Sequence, residues 1–177
     1  IDETPADHGD NGSTPTPQGA DDGPSRFVGI GASAGGLEAI EALASNLPTD
    51  SGMAFVVIQH LSPDYKSLMV ELLSKRTELP VHRAEDGQVV QRDTIYLIPP
   101  KKNLTIFHGK LLLSDQEPVR GINLPIDVFL QSLAEDQGDK AVAVILSGTG
   151  SDGMRGVRAI KEAGGMVMVQ EETTAKF

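Results

Sequence analysis

Residues 27–36 read FVGIGASAGG, and the fold follows from how this stretch is parsed. Phe27, Val28 and Ile30 make a short apolar run interrupted only by glycine, which suits a buried strand of a parallel sheet. Four glycines, Gly29, Gly31, Gly35 and Gly36, are expected to permit a tight backbone turn that larger side chains would block. Beyond them Leu37, Ile40, Leu43, Ala44 and Leu47 recur at helical spacing as far as Pro48, so a helix starts close to Gly36. The stretch therefore predicts strand, sharp turn and helix, with Ser33 at the corner. Gly31-Ala32-Ser33-Ala34-Gly35 also fits G-x-S-x-G, the pattern in which a nucleophilic serine is held clear of a sheet. The first turn of such a helix offers unpaired backbone N–H groups that stabilise negative charge.

Two other parsings fit the same residues. Gly29-x-Gly31-x-x-Ala34 matches the looser dinucleotide fingerprint G-x-G-x-x-G/A. That reading expects an acidic residue at the end of the second strand to bind a ribose hydroxyl. The second strand, Met53 to Gln59, ends instead in Gln59-His60, and Asp50 lies before it, on the wrong side. The third parsing is a glycine-rich turn that only packs. On this stretch alone, nucleophile, cofactor loop and packing turn stand level.

Composition narrows the choice. A chain of 177 residues has room for one ordinary domain with a real core. Cysteine is absent, which excludes disulfides, thiolate metal sites and cysteine nucleophiles and fits a reducing cytosol. No apolar run approaches the roughly 18 to 20 residues of a membrane span, and nothing resembles a signal peptide. Six of the 25 acids fall in residues 1–25, which hold no Lys or Arg, leaving 19 acids against all 15 bases in residues 26–177. The body is thus only mildly acidic, and nucleic acid, which needs basic patches, is not an expected partner.

Residues 1–25 are rich in Asp, Gly, Pro, Ser and Thr and nearly lack large apolar side chains, so a disordered acidic linker is expected there. The folded body is expected over residues 26–177. After the first helix, the run from Met53 to Gln59 reads as a second central strand, with His60 directly behind it. Ser62-Pro63-Asp64 then starts a helix whose stripe is Tyr65, Leu68, Met69, Leu72 and Leu73. From Val81 the period shortens. Val89-Val90, Thr94 to Leu97, Leu104 to Phe107 and Lys110 to Leu113 read as short strands, partly paired as hairpins, with Pro99 to Asn103 as a loop. The clearest hairpin turns at His108-Gly109; His108 and His82 are expected to be surface or turn residues. Pro125 opens a helix bearing Ile126, Phe129, Leu130 and Leu133 and ended by Gly138. Ala141 to Ser147 is a third buried strand, leading into a second glycine-rich turn, Gly148-Thr149-Gly150-Ser151-Asp152-Gly153. A helix with Met154, Val157, Ile160 and Ala163 inward follows, and Met166 to Gln170 makes a fourth strand. The chain begins at Ile1 rather than Met and shows no last helix before Phe177, so a piece of a longer protein, cut at its C-terminal edge, is expected.

Strands alternating with helices predict a doubly wound α/β sheet, mainly parallel, with helices on both faces and an antiparallel hairpin section. Such sheets bind ligands outside the carboxyl ends of their strands. Ser33, His60 and Asp152 each fall just past the carboxyl end of a different predicted strand. A serine hydroxyl needs a base to take its proton, histidine titrates in the right range, and a carboxylate orients the imidazole. The order Ser, His, Asp differs from the Ser, acid, His order of α/β-hydrolases, but a triad is defined by geometry. The bland alternatives are a core or capping histidine and, for Asp152, an N-cap of the helix from Gly153.

GASAGG with Ser33, Gln59-His60-Leu61 after an apolar strand, and SGTGSDG with Asp152 resemble the chemotaxis protein-glutamate methylesterases of the CheB type, from about Phe27 to Phe177. The resemblance implies Ser33 as nucleophile, His60 as base and Asp152 as orienting acid, with backbone N–H groups of Ala34 and Thr149 around the oxyanion. It implies hydrolysis of glutamate γ-methyl esters on cytoplasmic domains of chemoreceptors, with glutamine deamidation beside it, and neither cofactor nor metal. It also implies a receiver or methyltransferase domain in the same full-length chain; the sequence is similar to the branch fused to a methyltransferase. Two positions depart from the family pattern: Ala34 stands where threonine is usual, and Leu124 where arginine often stands. A non-catalytic regulatory module of the same fold and a nucleotide-binding domain are the rival readings.

Overall fold

A computed structural model of the chain describes residues 23–33, 36–59, 68–116, 123–146 and 151–175. In chain order these form β1 (Phe27–Ala32), α1 (Gly36–Ser45), β2 (Ala54–Gln59), α2 (Met69–Ser74), β3 (Val81–Arg83), β4 (Gln88–Val89) and β5 (Thr94–Leu97). There follow β6 (Lys102–Phe107), β7 (Lys110–Asp115), α3 (Pro125–Gln137), β8 (Ala141–Ile145), α4 (Met154–Glu162) and β9 (Met166–Val169). Most of the expected linker lies outside the described residues, as do Ser62, Pro63, Asp64 and Tyr65 at the start of the second predicted helix.

Continuous apolar runs make strands that are buried on both faces, and every residue of β1 and β2 is buried. They occupy the middle of a parallel sheet ordered β3-β5-β2-β1-β8-β9. The order reverses at β1, whose neighbours are β2 on one side and β8 on the other. Alternate residues serve two cores. Val28, Ile30, Phe55 and Val57 pack with Ile40 and Ala44 of α1 and Met69 and Leu73 of α2. Phe27, Val56 and Ile58 pack with Phe129, Leu130 and Leu133 of α3, Ile160 of α4, and Leu104, Ile106 and Leu111 of the smaller sheet. The doubly wound architecture is the one expected from the alternation of elements.

Two of the four glycines in the opening stretch have a different use from the one expected. Gly29 and Gly31 lie inside β1, not in a turn, and neither has a positive φ. They are small because α3 lies directly on the strand. A Cβ at Gly29 would stand 2.7 Å from Leu130 Cδ2, and one at Gly31 would stand 2.6 Å from Ile126 Cγ2. The first two glycines are therefore packing residues for a helix almost a hundred positions later.

A smaller antiparallel sheet, ordered β4-β7-β6, covers the end of α3. Its hairpin turns at His108 (φ 49°) and Gly109 (φ 69°), both left-handed, as a two-residue type I′ turn requires. Asp136 of α3 holds the tip by accepting from the backbone N–H groups of both residues. β5 is not part of a hairpin; it runs parallel between β2 and β3, all four residues buried. β3 itself carried no clear periodic signal, and β6 begins at Lys102, inside the stretch expected to be loop. Met154 is also not inward: it is 68% exposed, because Gly156 and Ile160 face the core from α4. β9 lies at the margin of the sheet, where α4 packs behind it, and leaves Met166, Met168 and Val169 exposed.

Candidate active site

In open α/β sheets the crevice forms at the carboxyl ends of the strands where their order reverses. Ser33 directly follows β1, and Asp152 lies in the connection from β8 to α4. β1 and β8 are hydrogen-bonded neighbours, with Gly31 opposite Ile145, so both residues leave the sheet at the same rim. Ile126 of α3 fills the space between: its side chain bounds both Gly31 and Gly153, the residue after Asp152.

The corner at Ser33 is sharp. Its carbonyl accepts from the N–H of Gly36 at 3.0 Å, so strand passes to helix within three residues. The side chain is half-buried, and its Oγ is shielded with no hydrogen-bond partner among the described residues. Buried hydroxyls are ordinarily paired, so this one has capacity left for a base.

Asp152 has a capping role, though not on its own helix. Gly153 (φ 103°) is the N-cap of α4 and supplies no side-chain cap. Asp152 instead reaches the first turn of α3, where Leu124 offers no side-chain cap and Pro125 occupies the first turn. Its Oδ2 accepts from Ile126 N–H at 3.1 Å and its Oδ1 from Asp127 N–H at 2.9 Å. Charge-assisted bonds of this kind contribute about 1.5–3 kcal/mol each, and the helix N-terminus favours the anion further. A carboxylate has about four lone-pair sites, so capping two amides does not prevent it from also accepting from an imidazole N–H. Capping and orienting are therefore compatible roles.

His60, Ala34 and Thr149 lie outside the described residues. Gln59, just before His60, ends β2 opposite Ala32 of β1. It is 4% exposed, and both amide atoms are buried without a partner among the described residues. Its place in the Gln59-His60-Leu61 motif was legible but no role was expected of it, although a polar residue closing an apolar run was a usable signal. Asp127, an acid in the first turn of α3 that proves buried, was likewise given no role. His82 and His108 are exposed, one in β3 beside the Tyr96 ring and one at the hairpin tip. Among the described residues no group of three or more His, Asp or Glu is placed to hold a metal ion, and no helix is long and apolar enough to cross a membrane. The dinucleotide parsing loses its footing, since Gly29 and Gly31 are taken up by α3 and β2 ends in Gln59 rather than an acid.

Known proteins bear on the same residues. The family model described as CheB methylesterase matches residues 28–177. A protein-glutamate methylesterase/protein-glutamine glutaminase of Cupriavidus metallidurans is 35% identical over 164 residues, covering 92% of this chain and 47% of that protein. A putative protein of the same description from Leptospira interrogans is 34% identical over 149 residues, covering 84% of this chain and 77% of that protein. An uncharacterized 104.1 kDa protein of Rhodobacter capsulatus is 44% identical over 109 residues, 62% of this chain and 11% of that protein. The chain thus spans about half the length of the Cupriavidus relative and a small part of the Rhodobacter one. Among solved structures, the CheB methylesterase catalytic domain of Thermotoga maritima superposes with a TM-score of 0.77 at 31% identity, over 85% of this chain and 82% of that one. The fold, the site at the sheet reversal and these matches lead to one conclusion: this chain belongs to the CheB methylesterase family.

Proposed function

We propose that the chain hydrolyses glutamate γ-methyl esters on the cytoplasmic domains of chemoreceptors, and deamidates glutamine side chains there, as a cofactor-free serine hydrolase. Ser33 Oγ attacks the ester carbonyl while His60 takes its proton. The tetrahedral intermediate collapses, His60 returns the proton to the methoxide, and methanol leaves. Water, deprotonated by the same imidazole, then cleaves the acyl-enzyme and restores Ser33, releasing the glutamate side chain. With glutamine the leaving group is ammonia. Asp152 holds the imidazole in the right tautomer and stabilises its charged form. Backbone N–H groups of Ala34 and Thr149 receive the oxyanion, where one donor is typically worth ~10²–10³ in rate.

The observation that supports this reading most is the pairing of Ser33, an unpartnered hydroxyl among the described residues, with Asp152 at one sheet reversal. Family membership supports the substrate class, since the relatives are named as protein-glutamate methylesterases and protein-glutamine glutaminases. Residues 1–25 are proposed as an acidic linker, residues 26–177 as a catalytic domain, and a receiver or methyltransferase domain as its neighbour in a longer chain that works in the cytoplasm. The test is methanol release from a methylated chemoreceptor cytoplasmic fragment. Wild type is expected to release methanol and Ser33→Ala to fall to background. Equal rates for the two would leave the non-catalytic module as the better account.

A further inference from the structure

A carboxylate taken out of water is costly unless its oxygens are hydrogen-bonded. Asp127 is 4% exposed, yet it has no step in the reaction above. Its Oδ1 accepts from the backbone N–H of Gly156, in the first turn of α4, at 2.7 Å. Its own backbone N–H donates to Asp152 Oδ1 at 2.9 Å. The two bonds run in opposite directions between the same two helices. Asp152, just ahead of α4, caps α3, and Asp127, in the first turn of α3, caps α4.

The helices cross closely enough for this only because residue 156 lacks a side chain. A Cβ at Gly156 would lie 2.4 Å from Leu130 Cβ, an atom fixed to the backbone of α3. Gly156 follows Asp152 by four residues, about one helical turn. Holding the Gly156 amide therefore fixes the start of α4, and with it the root of the Asp152 side chain, against α3. Ile126, next to Asp127, bounds Gly31 of β1, so α3 refers that position to the strand that leads into Ser33.

We propose that Asp127 is a positioning residue for the esterase reaction, keeping Asp152 in register with Ser33 by locking α4 to α3. This rests on the hydrolase reading above. Asp127 touches neither substrate nor the reacting atoms; it acts through Asp152.

The test uses the full chain and a methylated chemoreceptor cytoplasmic fragment, with kcat and KM measured well below each variant's melting temperature. Asp127→Ala is expected to lower kcat about tenfold or more, since displacements near 1 Å cost up to ~10² in rate, with KM unchanged within about twofold. Asp127→Asn keeps an oxygen acceptor for Gly156 and is expected to recover most of the loss. In an Asp152→Ala background, Asp127→Ala is expected to lower kcat no further, whereas its effect on melting temperature persists. The proposal is overturned if Asp127→Ala keeps wild-type kcat, or if it lowers kcat equally with and without Asp152. Should Asp127→Ala not fold, Asp127→Ser, whose hydroxyl is one bond too short for Gly156, carries the same expectations and the same refutation. Wild-type kcat in Ser33→Ala or Asp152→Ala would instead remove the hydrolase reading and this proposal with it, an outcome distinct from failure of Asp127→Ala alone.

Discussion

Replacing Gly31 by alanine tests whether the glycines of the first strand exist for packing. The added Cβ would lie 2.6 Å from Ile126 Cγ2, 3.2 Å from Ile126 Cδ1 and 3.3 Å from Ile145 Cδ1. Carbon atoms in contact sit about 3.5–4.0 Å apart, so roughly 1 Å must be made at the closest pair. Ile126 cannot supply it by rotation, because a β-branched residue in a helix is held to one χ1 well. α3 must move. Overpacking of this size costs about 1–3 kcal/mol, offset by about 0.5–1 kcal/mol for removing a glycine from a strand. The expected net loss is about 1–2 kcal/mol, or a melting temperature about 2–8 °C lower for a domain of this size. Ile126→Ala alone should cost about 2–5 kcal/mol through the cavity it leaves. Ile126→Ala also deletes both isoleucine atoms that crowd the new methyl, leaving Ile145 Cδ1 at 3.3 Å as the tightest contact. The double variant should therefore be more stable than the sum of the two losses by about 1–2 kcal/mol. Urea denaturation of the four proteins, with equal m-values as the check on two-state behaviour, gives the cycle. Losses that add within about 0.3–0.5 kcal/mol, or a Gly31→Ala protein more stable than wild type, would refute the packing account.

Other expectations follow from the same geometry. Gly156→Ala meets Leu130 Cβ at 2.4 Å, so it should destabilise by about 1–3 kcal/mol despite better helix propensity and should lower esterase kcat as well; melting and methanol-release assays read both. Asp136→Ala removes both anchors of the hairpin tip and should cost about 1–2 kcal/mol, with faster amide hydrogen exchange at His108 and Gly109 and unchanged kcat. Tyr96→Phe leaves the Gln91 N–H without its 2.9 Å acceptor and should lower stability by about 1 kcal/mol, read as a drop in urea midpoint.

The central sheet was legible because its strands are buried on both faces and so read as unbroken apolar runs; β1, β2 and β8 needed no long-range information. The helix at Pro125 was legible for a related reason, since Ile126, Phe129, Leu130 and Leu133 form its buried stripe. β5 misled because four buried residues look alike whether their neighbour runs parallel or antiparallel. β3, three residues with one buried, is too short to carry a period. Ser33 and Asp152 could be placed at one rim because each follows a strand, and strand ends were readable. The use of Gly29, Gly31 and Gly156 was not readable, because each is decided by α3, a partner remote in sequence. Asp152 capping a foreign helix and Asp127 answering it escaped for the same reason: local pattern names a capping residue, but not whose amides it caps.

β9 carries a consequence for handling the protein. Its outward edge pairs with no strand among the described residues, and Met166, Met168 and Val169 stand in solvent beside it. Open backbone amides flanked by greasy side chains form a template on which another copy can lay its own strand. Stocks of this 177-residue chain should thus scatter more light as they are concentrated, and Val169→Lys should keep them clear.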